Sequence, residues 1–133
     1  MKDVARQILE AFFLTRPLLL IPVWSFSVFG YWRAQGGGGW DTFLNLWKMH
    51  SFTFSIGALF FSFSVASVYV INQIADFEVD KKNGGTPLMV LAQMSPQKAW
   101  GVAVSFFFLS IAGSFVVSFL LSILVLSSFI VGL

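Results

Sequence analysis

Two long stretches, residues 51–75 and 99–133, carry no charged side chain. A bilayer-spanning helix needs roughly 20 consecutive apolar residues, so the first stretch suits one crossing. The second, as a single helix rising about 1.5 Å per residue, would be near 52 Å long. That is far beyond a hydrocarbon core of about 30 Å. It therefore reads as a full span over 96–117 and the start of another over 119–133. A further span covers 11–32, interrupted by Arg16. Pro17 and Pro22 lie inside it, so it is either bent or begins at Arg16. The expected architecture is all-α: one polytopic transmembrane helical domain over 1–133, with about three full spans and part of a fourth.

Composition agrees. Hydrophobic residues make up 57% of the 133 and charged residues 11%, against about 25% charged in an ordinary soluble domain. A small water-soluble domain could not cover its surface with so few polar groups. A net charge of +2 is too small for binding a phosphate backbone, so no nucleic-acid partner is expected. The absence of cysteine removes disulfides, thiolate metal sites and cysteine nucleophiles.

Residues 2–13 read as an interfacial helix. Ile8, Leu9, Phe12 and Phe13 share one face; Asp3, Arg6, Gln7 and Glu10 supply the wet one. A secretory signal peptide is the competing reading of this end. Arg16 and Pro17 cut the apolar run, and no small-residue cleavage site precedes Trp32. Basic residues set the orientation. Lys2, Arg6 and Arg16 precede the first span, and Lys81, Lys82 and Lys98 follow the second. The loop between those spans holds Arg33 and Lys48. The two richer segments share a side, and the positive-inside rule makes it cytoplasmic. Trp24, Trp32, Trp40, Trp47 and Trp100 fall mostly near span ends, where indole rings anchor.

The remaining ionisable residues concentrate at the cytoplasmic end of the second span. Asn72, Asp76 and Asp80 stand four apart. On a helix each such step turns about 400°, so the three drift by only about 80° and share a face. Two carboxylates and an amide oxygen are hard ligands suited to magnesium, which completes its shell with water and substrate phosphates. The plainer reading is a polar helix end in water. Against it, Asn72 directly follows Val68, Tyr69, Val70 and Ile71, deep for a solvated flank. Acids at a helix C-terminus also oppose the macrodipole, a cost that a bound cation offsets. Glu78 points to another face.

This pattern resembles the first aspartate-rich motif of the UbiA-type intramembrane prenyltransferases. Arg16-Pro17 at the first long span, Asp80-Lys81-Lys82-Asn83 after the motif, Thr86-Pro87-Leu88, and Ser95-Pro96-Gln97-Lys98-Ala99 opening the third span also resemble that family, in the right order. The resemblance implies a fold of about nine helices, with a second aspartate-rich motif in its second half. This chain would then be the N-terminal portion, with a C-terminal half expected beyond Leu133.

The resemblance also implies a chemistry. Mg2+ clamps the diphosphate of a polyprenyl donor. Diphosphate departure leaves an allylic cation, which alkylates an aromatic, quinone or other lipophilic acceptor inside the bilayer. Carried over by position, Asn72, Asp76 and Asp80 would be the metal ligands, and Asp76 and Asp80 the catalytic carboxylates. Asn72, Lys81 and Lys82 would contact the diphosphate. The two lysines serve equally as ordinary positive-inside residues.

Two positions depart from the family pattern. Gln73 stands where an aspartate is common, and lies instead near the small-residue stripe Ala58, Ser62, Ala66. Thr86 stands where an arginine is usual, and cannot form a bidentate phosphate pair. A small transporter or channel component using Asp76 and Asp80 for a cation is the competing function, and a non-catalytic scaffold a third.

Other polar residues read as structural. His50 is the sole histidine and lacks a histidine or cysteine partner. Gly36 to Gly39 lacks the Lys-Ser/Thr of a phosphate loop and reads as a connector. Gly84-Gly85-Thr86-Pro87 reads as a turn. Tyr69 reads as core packing. Ser105, Ser110, Ser114, Ser118 and Ser122 read as packing or back-bonding hydroxyls.

Overall fold

The computed structural model describes residues 2–40, 44–45, 52–83 and 94–133. Every regular element among them is helical: α1 (Lys2–Leu14), a 3-10 turn (Pro17–Leu19), α2 (Leu20–Ala34), α3 (Phe52–Lys82), α4 (Pro96–Val117) and α5 (Phe119–Gly132). Three apolar helical segments are long enough to cross a bilayer, Val4–Ala34, Phe52–Lys82 and Pro96–Val117, while Phe119–Gly132 is shorter. His50, Trp47 and the Gly84 to Leu88 segment lie outside the described residues.

The first of these segments is not one helix. It breaks at Arg16, which adopts the left-handed conformation (φ 50°, ψ 61°). Pro17, with its fixed φ, then opens the 3-10 turn at the first position. Residues 11–14, read from sequence as the start of a span, belong instead to the amphipathic α1. Pro22 causes no break. It falls in the first turn of α2, where a backbone N–H has no intrahelical partner to lose.

α1 keeps Ile8, Leu9, Phe12 and Phe13 exposed on one side and pairs Arg6 with Glu10 at 2.7 Å. This is the anatomy of a helix lying in a membrane interface. At its far end α2 gives way to Gly36, Gly37 and Gly38, all with positive φ. These dihedrals, φ 99°, 60° and 156°, are ones that L side chains rarely adopt, so glycine suits this connector.

α3 is the central element. α2 packs antiparallel to it: Tyr31 stacks on Phe54 with ring centroids 4.4 Å apart. One helix end closer to Arg16, the Trp24 indole N–H donates to Ser62 Oγ at 2.8 Å. Trp24 is thus tied to α3 by its indole N–H while nearly half of its surface stays exposed. α4 runs antiparallel on another face, with Phe63 stacked on Phe106 at 5.1 Å and Ser67 Oγ donating to the Ala103 carbonyl at 2.8 Å. Ser118 then takes an extended conformation (φ −169°, ψ 137°) and turns the chain sharply. α5 returns beside α4, where Phe107 meets Phe129 at 4.4 Å, and runs parallel to α3. The break separating 96–117 from 119–133 therefore falls where sequence length requires it.

The buried residues are mainly small or hydroxylic: Ser62, Ser64, Ala66, Ser67, Ala99, Ala103, Ser110 and Ser114. Large apolar side chains face outward; Val116 and Val131 are each 86% exposed and Phe26 77%. Lipid is as apolar as leucine, so close backbone approach and interhelical hydrogen bonds, rather than segregation of apolar groups, hold such helices together. The serines behave accordingly. Ser105, Ser110, Ser114 and Ser122 donate to carbonyls three or four residues back in their own helices, at 2.7 to 3.2 Å.

Candidate functional site

α3 is helical through Lys82, so Asn72, Asp76 and Asp80 do form one stripe, each a turn beyond the last. At 31 residues the helix is about 46 Å long, longer than the hydrocarbon core of about 30 Å. Its last turns, which carry the acids, therefore extend toward the polar region. Asn72 and Asp76 are exposed and Asp80 is half-buried. Asn72 therefore stands on an accessible face of α3. Its Nδ2 donates to the Gly132 carbonyl of α5 at 3.4 Å, which leaves Oδ1 as its available oxygen. Glu78 is exposed. Lys81 and Lys82 are exposed in the last turn, where positive charge complements the macrodipole. Thr86 lies outside the described residues.

Among the described residues no three His, Asp or Glu side chains converge. What the stripe offers is two carboxylates and an amide oxygen on one accessible face. That donor set fits a magnesium ion, which takes one or two protein carboxylates and leaves the rest of its octahedron to water and phosphate.

An apolar cavity of about 750 Å³ lies between α2, α3 and α5, lined by Phe54, Gly57, Phe61, Leu121, Leu124 and Val131 among others. The volume is that of a small-molecule site, roughly 300–1,000 Å³. Val131 lines it, and the next residue, Gly132, accepts the Asn72 hydrogen bond. Asn72, the first residue of the stripe, and the apolar cavity are therefore neighbours at the end of α5.

Two residues beside the stripe reach back to the N-terminal break. Gln73 is buried, with 6% of its surface exposed. Its Nε2 donates to the Leu14 carbonyl and, at 3.2 Å, to that of Tyr69, while its Oε1 is buried without a partner. An unsatisfied buried acceptor costs roughly 1–3 kcal/mol. The Tyr69 hydroxyl donates to the Leu19 carbonyl at 3.4 Å. The hinge at Arg16 is thus braced on both sides from α3, and Leu14 joins Val70, Met94, Ala99 and Ala103 in a buried cluster. Sequence reasoning places Gln73 near the packing stripe Ala58, Ser62, Ala66, and Ser62, Ala66 and Gln73 are buried while Ala58 is half-buried. It does not reach the bracing itself, which joins residues 59 apart.

The model of the UbiA prenyltransferase family matches residues 23–133, most of the chain. The chain belongs to the UbiA prenyltransferase family. No curated protein and no solved structure gives a match. As a UbiA protein with three bilayer-length apolar segments, it is an integral membrane protein, and its family supports a prenyltransferase kind of activity. The match begins within α2 and takes in the stripe and the α4–α5 hairpin. Arg16 and the amphipathic α1 lie before it.

Proposed function

We propose that this protein transfers a polyprenyl group from its diphosphate to a lipophilic acceptor within the bilayer, using magnesium. The observation that carries this reading is the junction at Gly132, where Asn72, the first residue of the stripe, is bonded beside a cavity-lining residue, Val131. A polyprenyl diphosphate has the same two-part character, an anionic head and a long apolar tail. Asp76, Asp80 and the Asn72 oxygen would hold the metal. When bound, the metal neutralises the diphosphate and assists its departure as a leaving group.

The chain's own groups do the rest. Lys81 and Lys82 add positive charge beside the departing anion. The Phe54 and Phe61 rings and the leucines of α5 would line the path of the apolar tail, away from the diphosphate. The family match favours this enzyme over the cation-transport reading of the same two aspartates. The cytoplasmic side is where the stripe and the N-terminal basic residues would lie, by the positive-inside rule.

The test is magnesium-dependent release of diphosphate by the intact protein from geranyl, farnesyl and geranylgeranyl diphosphates. Asp76→Ala and Asp80→Ala are each expected to abolish it. Wild-type turnover in both variants overturns the site.

A further inference from the structure

We propose that Gln73 is a positioning residue, whose side-chain amide fixes the Arg16 hinge against the helix that carries Asp76 and Asp80. This role rests on the functional reading above. Gln73 follows Asn72 directly, so on α3 it lies about 100° around from Asn72 and about 60° from Asp76. It faces the N-terminal break instead of the metal stripe, and is buried to all but 6%. Both of its described hydrogen bonds run from Nε2: one stays within α3, to Tyr69, and the other crosses to Leu14.

The crossing bond ends two residues before Arg16, the sole non-glycine residue with positive φ among those described. The Tyr69 hydroxyl meets the hinge on its other side, at Leu19. Arg16 itself is exposed and forms no ion pair among the described residues. One cationic hinge residue is therefore held between two braces, both rooted within about one turn of Asn72, and Gln73 also within a turn of Asp76. An aspartate at position 73 could not do this, because a carboxylate has no proton to give to the Leu14 and Tyr69 carbonyls. The departure from the family's aspartate is thus a change of task. Position 73 gives up a negative charge near the anionic donor and gains a donor that locks the hinge.

The experiment uses the intact protein in lipid nanodiscs. This sequence has no cysteine, so Leu18→Cys and Glu78→Cys place one spin label on the hinge and one on α3. Gln73→Met keeps length and shape and removes the clamp. It is expected to broaden the label-to-label distance distribution and to weaken magnesium-dependent binding of a non-hydrolysable farnesyl thiolodiphosphate about tenfold, as misplacement of binding groups does. Tyr69→Phe, which removes only the second brace, is expected to give a smaller broadening, and carries the test if Gln73→Met does not accumulate.

An unchanged, narrow distribution in the variants overturns the proposal. So does a lowered melting temperature with wild-type analogue affinity, which marks a purely structural role. Asp76→Asn separates the two readings: it is expected to lose analogue binding while keeping the narrow wild-type distance. If Asp76→Asn binds normally, the metal-site reading fails, and the distances alone decide the clamp.

Discussion

Arg16 shows how one residue redirects a segment that hydropathy alone would join. Its φ of 50° is a conformation that costs an L-amino acid roughly 1–2 kcal/mol. The Gln73 and Tyr69 bonds on either side hold it there. Glycine pays no such steric cost, although it gains freedom in the unfolded chain. Arg16→Gly is therefore expected to be more stable than Arg16→Ala by about 1 kcal/mol, read from thermal unfolding in detergent. Equal stability would mean that the hinge does not hold this conformation. A proline pattern shows that a break is due near here, but the left-handed residue itself could not be named from sequence. Any of several residues between Leu14 and Pro22 could absorb the turn until α3 supplies the braces.

At the scale of helices, the contacts are those of small residues meeting aromatic ones. A Cβ added to Gly113 would lie 2.2 Å from the Phe60 ring, so α3 and α4 approach as closely as they do because position 113 has no side chain. Overfilling such a contact costs typically 1–3 kcal/mol. Gly113→Ala is expected to lower the melting temperature measurably, and adding Phe60→Leu to recover much of the loss. A double variant no more stable than Gly113→Ala would remove Phe60 from the account. The limits of α4 and the break before α5 were readable in advance; the serine N-cap was not. Pro96 suits the first helical position, Ser95 Oγ accepts from the Lys98 amide, and bilayer thickness sets an upper length. Which helices would be neighbours was not readable, since Gly113 and Phe60 are far apart along the chain.

For the molecule as a whole, the two hinge braces put the N-terminal break and the acidic end of α3 at one end of the bundle. The end of α2, the start of α3 and the start of α5 lie at the other. By the positive-inside rule the first of these ends is expected on the cytoplasmic side. Single cysteines at Glu10 and Lys82 are expected to react with an impermeant thiol reagent from the cytoplasmic side, and one at Gln35 only from the opposite side. Labelling of positions 10 and 82 from different sides would overturn the arrangement.

The sequence by itself determined that the chain is helical, that it lies in a membrane, and that Asn72, Asp76 and Asp80 share a face. These follow from local quantities: hydropathy over a bilayer-length window, and a four-residue spacing on a helix of known pitch. Only the tertiary structure decided what stands beside that face. It brings the Gly132 carbonyl to Asn72, opens an apolar cavity next to that contact, and turns Gln73 toward Leu14. Each of these joins residues roughly sixty positions apart. In a bilayer such pairings are chosen by close packing of small residues and by a few interhelical hydrogen bonds, and linear spacing encodes neither.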